Sequence, residues 1–265
     1  MSSHHNSLRW RSGVNLVVIA AALVAITVIT NAYSFNLMLR NFRQSLSSTA
    51  LIYTEQISGK VDKINSGSLE LVSLAASSQN YYTSSPLGRY LTQQDILTRL
   101  QDRIRYVESS DLYFFYRTDS DELLTALSNR ASTGSSYFWN QYLMLPPTQP
   151  ANTWFSVTCN GETWLMCYYN VSQVRVGAAV RAKTLLQSLY ADTGLVQDSG
   201  FALAGLDGTI VYSSQPDLMA CGTSLAGHIP ASLIVESHTV PEVGTLLLFR
   251  PSSDLLHQLL SLIHI

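Results

Sequence analysis

The stretch TWLMCYYNVSQVRVGAAVRAKTLL, residues 163–186, decides the fold of this chain. It contains two apolar runs, 163–170 and 174–180, which are rich in aromatic and β-branched residues. Runs of this kind, separated by a few polar residues, predict strands of one sheet. We expect a short helix at 183–190 to follow them.

More strand signals lie upstream of this stretch. Asn160-Gly161 is the strongest short hairpin signal, so it predicts that the run before it pairs with 163–170. An aromatic segment, 137–145, ends at Pro146-Pro147 and predicts a helical crossing between two pairs of strands. The predicted upstream strands are 111–117, 122–128 and 154–159.

A smaller set of strand signals lies downstream. Asp207-Gly208 and Pro241-Glu242 mark the turns of two hairpins, because glycine, proline and aspartate favour turn backbones. A loop-rich crossing, 214–232, separates the two hairpins. The predicted strands are 200–206, 209–213, 233–240 and 244–250. The chain therefore predicts two separate antiparallel sheet modules.

The N-terminal region predicts a membrane anchor. No charged side chain lies between Arg11 and Arg40, and 14–32 is almost continuously apolar. A helix of roughly 20 such residues crosses a bilayer. A cleaved signal peptide, with an apolar core of roughly 7–15 residues, and a buried soluble helix are the alternatives. We predict a cytoplasmic N-terminus over 1–13 and an uncleaved transmembrane helix over 14–36.

A long amphipathic helix is predicted directly after the span, over 39–80. Its apolar positions recur at steps of three and four residues, which is the period of a helix with one buried face. These positions are Leu46, Ala50, Tyr53, Ile57, Val61, Ile64, Ser68, Leu71 and Ala75. An ordinary core helix gives the same pattern. The helix can be both a core helix and a dimer contact if one face packs on a domain and another face contacts a second chain. We therefore expect a homodimer through this helix.

A break at 84–88 precedes a second predicted helix, 93–108, with Thr92 as its cap.

The composition places the globular region outside the cell. Arginines flank the span on both sides, so their count leaves the orientation nearly tied. Only 13% of the residues are charged, about half of the usual fraction of roughly 25%. Uncharged polar residues supply the polarity instead. We expect a plasma-membrane protein with a single span and an extracellular globular region.

Charge and cysteine usage exclude two classes of partner. The net charge is −2 and the chain has no basic run, which speaks against a nucleic-acid surface. The three cysteines imply no disulfide framework, and the absence of a CxxC pair speaks against a zinc site. No metal and no cofactor are predicted.

The motifs of common hydrolases are missing from the sequence. The segment 222–227 comes near the Gly-x-Ser-x-Gly elbow but has one residue too many before its last glycine. His228 and His238 lie near Glu236 without HExxH spacing. We predict no catalytic residue, and hence no enzymatic activity in this chain.

Three segments together resemble a known family of sensor modules. They are LYFFYRTDSDELLTALSN at 112–129, the stretch 163–186, and GFALAGLDGTIVYSS at 200–214. With the long anchored helix, they resemble the double Cache (dCache) sensor regions of bacterial membrane receptors. Within that family, the chain is most similar to YesM-type histidine kinases and membrane-anchored AraC-type regulators. The resemblance covers 39–258 and puts Gly177 at the strand glycine of the family.

The resemblance implies an α+β fold in which the transmembrane helix continues into a long helix that carries two PAS-like sheets. It implies a membrane-distal Cache module over 81–192 and a membrane-proximal one over 196–250. Residues 251–259 would then begin a helix that leads to a second span. The final residues, 260–265, look like the in-frame translation of a transposon end used in sequencing-library preparation, so we expect an artefactual truncation there.

The distal module is the predicted ligand site. It is rich in large amphipathic rings, which suit small organic ligands such as sugars and other metabolites. The predicted ligand-binding residues are Tyr113, Phe115, Trp139, Trp164, Tyr168 and Arg175. The alternative for any one ring is plain core packing. Arg175 or Arg181 is the candidate for binding a carboxylate, and a solvated arginine is the alternative. The amino-acid-binding pattern of the family is absent at 136–140.

These features predict the extracellular sensor region of a truncated transmembrane receptor, with a histidine kinase as the intact protein. The alternatives are the sensor region of an AraC-type regulator, of a chemoreceptor or of a diguanylate cyclase. A membrane-anchored structural surface protein is the alternative from a different class. The membrane, a small-molecule ligand and a second copy of the chain are the expected partners.

Overall fold

A computed structural model describes residues 3–78, 85–107, 109–129, 150–159, 161–191, 199–226 and 229–253. The helices are α1 (Ser3–Ser78), α2 (Pro86–Tyr106), α3 (Ala182–Leu185) and α4 (Gln187–Ala191). The strands are β1 (Leu112–Arg117), β2 (Glu122–Leu127), β3 (Phe155–Cys159), β4 (Glu162–Val171), β5 (Val174–Arg181), β6 (Gly200–Gly205), β7 (Ile210–Ser213), β8 (Leu233–Val240) and β9 (Gly244–Pro251). The predicted crossing at 137–145 and the C-terminal residues 254–265 lie outside the described residues.

The strands form two antiparallel sheets, as the sequence predicts. The five-stranded sheet has the order β2-β1-β5-β4-β3, and the four-stranded sheet has the order β7-β6-β9-β8. The hairpin across Gly161 pairs β3 with β4, with Val157 opposite Trp164. Both sheets belong to one compact unit, residues 47–251. The fold is therefore α+β, with a long N-terminal helix followed by two sheets.

Helix α1 contains both the predicted apolar segment and the predicted amphipathic segment. Its N-terminal part is long and apolar enough to cross a membrane, with a mean hydropathy of 2.3 over its best window and none of that window buried. Further along, every position of the predicted apolar face, from Leu46 to Ala75, is buried. Burial at steps of three and four residues shows that this part of the helix packs one stripe against the rest of the protein.

Helix α2 begins seven residues earlier than the predicted 93–108. The side chain of Ser85 accepts a hydrogen bond from the backbone N–H of Gly88 at 3.1 Å, and Pro86 occupies the first turn. A serine cap followed by proline is a strong helix start, because proline has no N–H to leave unpaired. The predicted cap, Thr92, instead donates to the carbonyl oxygen of Gly88 inside the helix.

The two faces of the five-stranded sheet have different neighbours. The hydroxyl of Tyr113 on β1 donates to the backbone oxygen of Ile64 at 3.3 Å, so this face packs on α1. Because side chains alternate along a strand, Phe114 and Tyr116 point to the opposite side. We call that side the outer face; its buried cluster comprises Leu112, Phe114, Tyr116, Cys159, Trp164, Met166, Tyr168 and Ala179.

The four-stranded sheet has its own apolar cluster. It comprises Ala202, Ala204, Ile210, Met219, Leu233, Leu247 and Phe249. Met219 lies in the crossing between the two hairpins, so that crossing contributes to the core of this sheet. Contacts from α1 reach this sheet as well, since Ser47 Oγ and His238 Nε2 on β8 lie 3.1 Å apart.

Candidate ligand-binding face

Arg175 lies between two tyrosine rings on the outer face. Its guanidinium carbon is 5.6 Å from the centre of the Tyr116 ring and 5.3 Å from that of Tyr168. The strand register explains the arrangement, because Arg175 on β5 is directly opposite Tyr116 on β1. Tyr168 lies on β4, the other strand paired with β5, and is opposite Gly177, two residues after Arg175 on the same face. A cation over aromatic faces is attracted by the ring quadrupoles, which holds the guanidinium in place.

The guanidinium of Arg175 is buried, and burial affects its pKa. Only 9% of Arg175 is exposed. Burial lowers the pKa of Arg175, and the nearby hydroxyls of Tyr168 and Tyr116 act in the opposite direction. Arginine still stays protonated under these conditions, since its ordinary pKa is above 12. The outer face therefore holds a permanent positive charge within an aromatic surface.

Tyr116 is fixed at its outer end. Its hydroxyl is hydrogen-bonded to the carboxylate of Asp121, and this bond is the main reason why the pKa of Tyr116 is raised. Asp121 has a φ of 57°, in the left-handed region, so the turn between β1 and β2 aims this carboxylate back at the strand. The ring under Arg175 is thus held by the turn as well as by the sheet.

A second arginine lies at the other end of the same face. Arg181 Nη2 and Nε donate to the two carboxylate oxygens of Asp111 at 3.0 and 3.2 Å, and the backbone N–H of Arg181 donates to Asp111 at 2.9 Å. The guanidinium carbon also lies 5.8 Å from the centre of the Trp164 ring. The hydrogen bond with Asp111 is the main reason why the pKa of Arg181 is raised. Because Asp111 is fully buried, this pair clamps the start of β1 to the end of β5.

The structure divides the predicted ligand-binding residues between two faces. Trp164, Tyr168 and Arg175 share the outer face. Tyr113 contacts α1, and Phe115 shares its side of β1, so these two do not join the others. Trp139 lies outside the described residues. Of the four rings from which the walls of the predicted pocket were to come, together with Trp139, only Trp164 and Tyr168 therefore share a face with Arg175.

Tyr116 was missed by the sequence reasoning. In the run LYFFYR every residue from Leu112 to Tyr116 is buried, so the usual alternation of apolar and polar residues is absent. Alternation puts Phe114 and Tyr116 on one side of β1, and the pairing of these two residues with Gly177 and Arg175 shows that this side carries the arginine. The available signal was the spacing of two residues between Phe114 and Tyr116, combined with an arginine at the start of the next paired strand.

A separate cavity of about 570 Å³ lies between α2 and β2. It contains none of the predicted ligand-binding residues, and its lining includes Gln101, Ile104, Arg105, Thr125 and Ser128. The side chain of Arg105 is 76% exposed, so its charge is well solvated there. We favour the outer face because its charge is desolvated and held between aromatic rings.

Comparison with solved structures identifies the fold. The periplasmic sensory domain of the Campylobacter jejuni chemoreceptor Tlp1 superposes with a TM-score of 0.55 at 10% identity, over 82% of this chain and 97% of that one. The extracellular domain of soHK1S-Z6, described as a candidate histidine kinase, gives 0.55 at 8% identity, over 86% and 99%. The sensory domain of C. jejuni Tlp3, solved with isoleucine bound, gives 0.51 at 8% identity, over 84% and 98%.

These neighbours define the class of fold: the chain has the two-sheet architecture of dCache-like periplasmic sensory domains. They include sensory domains from chemoreceptors as well as from a candidate kinase, so they do not separate one receptor class from another. No family model matches the sequence. No curated protein matches it either.

Proposed function

We propose that this chain is the extracellular ligand-sensing region of a transmembrane receptor. The observation that carries the proposal is the architecture, because sensory domains superpose over nearly their whole length on a chain that begins with an apolar helix. The described residues contain no group of three or more histidine, cysteine, aspartate or glutamate side chains that could hold a metal ion.

The outer face of the five-stranded sheet is the proposed ligand site. Arg175 supplies a fixed charge for a carboxylate or another anionic group, and Tyr116, Tyr168 and Trp164 supply apolar surface for the body of the ligand. The isoleucine bound to Tlp3 is a small carboxylate of this kind. We therefore propose a small metabolite with an anionic group as the first ligand class and sugars as the second.

Thermal unfolding tests both the function and the site. The full chain in lipid nanodiscs is screened against amino acids, γ-aminobutyrate, dicarboxylates and sugars. A ligand at 100 times its Kd stabilises the folded state by about 2.7 kcal/mol, which raises the melting temperature. We expect Arg175→Gln to abolish the shift caused by an anionic ligand. Arg99→Gln on α2, where the arginine is 58% exposed and paired with Asp95, is the matched control and should keep it.

Two outcomes would contradict the proposal. If no compound stabilises the wild-type chain, the sensing function loses its support. If the Arg175→Gln variant keeps the full shift, the ligand binds elsewhere. A sugar that shifts the wild type and the variant equally would support sensing while removing Arg175 from the site.

We also propose that the intact receptor is a histidine kinase and that it dimerises through α1. Beside its buried stripe, α1 exposes Leu51, Ile52 and Leu69, each about half exposed. Burying these side chains against a second copy of the chain would remove their apolar surface from water, which favours association. Such a dimer would let a ligand change the spacing or rotation of paired membrane helices, provided that it binds the two arrangements with different affinities.

A further inference from the structure

Asn65 on α1 makes hydrogen bonds to both sheets. Its Oδ1 accepts from the indole Nε1 of Trp154 at 3.1 Å, and its Nδ2 donates to Oε2 of Glu242 at 2.6 Å. Trp154 directly precedes β3 of the five-stranded sheet. Glu242 lies in the turn between β8 and β9 of the four-stranded sheet. One side chain of the helix thus connects an edge of each sheet.

The turn that carries Glu242 holds its carboxylate in a fixed position. Glu242 has a φ of 65°, in the left-handed region that non-glycine residues adopt only when the surroundings require it. Val240 and Val243 on either side are buried, with 0% and 2% exposed. The turn is therefore anchored by its apolar neighbours while Glu242 reaches Asn65.

Glu242 also acts on the five-stranded sheet directly. Burial, followed by the charges of Cys167 and Glu242, raises the pKa of Tyr169 on β4 to about 12. Burial likewise raises the pKa of Cys167 to about 12, with a smaller contribution from Glu242. An electrostatic effect of this kind requires that the turn lies close to β4. The β8–β9 turn thus lies close to β4 as well as to Asn65 on α1.

Trp154 is connected to the outer face by a short piece of backbone. The N–H of Asn152, two residues before it, donates to the carbonyl oxygen of Tyr168 at 2.7 Å. Trp154 itself is 3% exposed, so its indole has little freedom to move independently of the chain that leads into β3. A displacement at Tyr168 therefore reaches the Asn65 hydrogen bond within a few residues.

We propose that Asn65 is a coupling residue that transmits the position of the segment leading into β3 to the β8–β9 turn of the other sheet. The role of a ligand in moving that segment rests on the proposed function, whereas the coupling itself does not. Loss of the Trp154 bond frees the Asn65 amide to rotate, which weakens its bond to Glu242 and loosens the turn.

Amide hydrogen exchange of the full chain in nanodiscs, without ligand, tests the coupling. Trp154→Phe keeps a ring but removes the N–H, and we expect exchange in 240–244 to accelerate about twofold to tenfold, the range for one net hydrogen bond. Asn65→Ala should accelerate it similarly, and the double variant should add nothing further, because both changes break one path. Thr118→Val removes an exposed side-chain hydrogen bond to the carbonyl oxygen of Gln173 in the same sheet; it is the control and should leave exchange in 240–244 unchanged.

The reverse experiment protects against a variant that fails to fold. Glu242→Ala removes the acceptor on an exposed turn, and we expect faster exchange in the chain from Thr153 into the start of β3. Unchanged exchange in 240–244 for Trp154→Phe would overturn the proposal, as would independent, additive effects of Trp154→Phe and Asn65→Ala. Since no ligand is used, failure of the coupling is distinguishable from failure of the sensing function.

Discussion

Asp111 is a buried carboxylate whose hydrogen bonds connect three strands. It is fully buried, it accepts three hydrogen bonds from Arg181, and its Oδ1 also lies 3.2 Å from Ser128 Oγ, which donates to it. Its carboxylate thus joins the start of β1, the end of β2 and the end of β5. A buried carboxylate with this many donors leaves unpaired partners behind when it is removed.

Asp111→Asn should therefore destabilise the chain by about 1.5–3 kcal/mol, the range for hydrogen bonds to charged groups. The matched control is Asp95→Asn, which removes an exposed pair with Arg99 on α2 and should cost less than about 0.5 kcal/mol. Chemical unfolding of both variants in detergent measures the difference. Equal effects of the two substitutions would show that the Asp111–Arg181 pair does not clamp the strands.

Because the thiol of Cys167 is buried, we expect the chain to lose stability at alkaline pH. Burial raises the pKa of this thiol from 9.0 to about 12. The unfolded chain ionises its thiol first, so the stabilisation is fully present below about pH 9 and is lost as the pH rises towards 12. We expect Cys167→Ala to reduce the decline of the unfolding free energy in that range by up to about 1.4 kcal/mol per pH unit.

The control for this prediction is Cys221→Ser. Cys221 is exposed, so its substitution should leave the pH dependence of the unfolding free energy as it is in the wild type. The measurement is a series of chemical unfolding curves between pH 8 and about pH 11. If Cys167→Ala declines with pH as steeply as the wild type, the buried thiol does not account for this part of the alkaline sensitivity.

At the scale of the element, the two glycines of α1 make a matched pair. A Cβ at Gly67 would collide with the hydroxyl of Tyr113, whereas nothing lies within 4 Å of a Cβ at Gly59. Gly67 therefore provides the close approach between α1 and β1. Gly59 lies on an exposed part of the helix and has no such role.

Opposite effects on stability should follow from replacing these glycines by alanine. Gly59→Ala should stabilise the chain by about 0.5–1 kcal/mol, because alanine restricts the unfolded backbone and favours a helix. Gly67→Ala should destabilise it by about 1–3 kcal/mol, because the Tyr113 ring must shift and lose its bond to Ile64. Thermal unfolding measures both. Stabilisation by Gly67→Ala would contradict the packing of β1 on α1.

Secondary structure was predictable wherever local chemistry determines it. The hairpin signals, the turn residues and the period of α1 each predict an element that the structure confirms. The start of α2 was predicted wrongly. Both Ser85 and Thr92 are residues that can cap a helix, and the helix begins at the earlier one, where Pro86 follows the cap. The face of each aromatic residue on β1 was not predictable, since both sides of this strand are buried and only pairing with β5 sets them apart.

The residues of the proposed ligand site could not all be predicted without that information. Trp164, Tyr168 and Arg175 were predicted and do share a face, whereas Tyr113 and Phe115 pack on the side of α1. The coupling residue Asn65 gave no signal in the sequence, because a polar residue beside an apolar helix stripe is ordinarily solvated. Its role depends on contacts with residues 89 and 177 positions away along the chain.

At the scale of the whole molecule, the proposed dimer predicts a pattern of cross-linking. In a Cys221→Ser background, Ser66→Cys lies on the exposed side of α1 and should form a disulfide-linked dimer in membranes. Ser68→Cys, two residues further on, is the matched control, because Ser68 is 1% exposed and hydrogen-bonded to Ile64. Gel electrophoresis without reductant measures the products. Equal cross-linking of both variants, or of neither, would contradict dimerisation through this side of the helix.

The central claim is that the chain senses a small molecule on the outer face of its five-stranded sheet. The most direct test is an experimental structure of the full chain with the compound that stabilises it most in the thermal screen. We expect the compound to lie over Tyr116 and Tyr168, with an anionic group within hydrogen-bond distance of Arg175. A compound bound instead in the cavity between α2 and β2, or on the four-stranded sheet, would contradict the account.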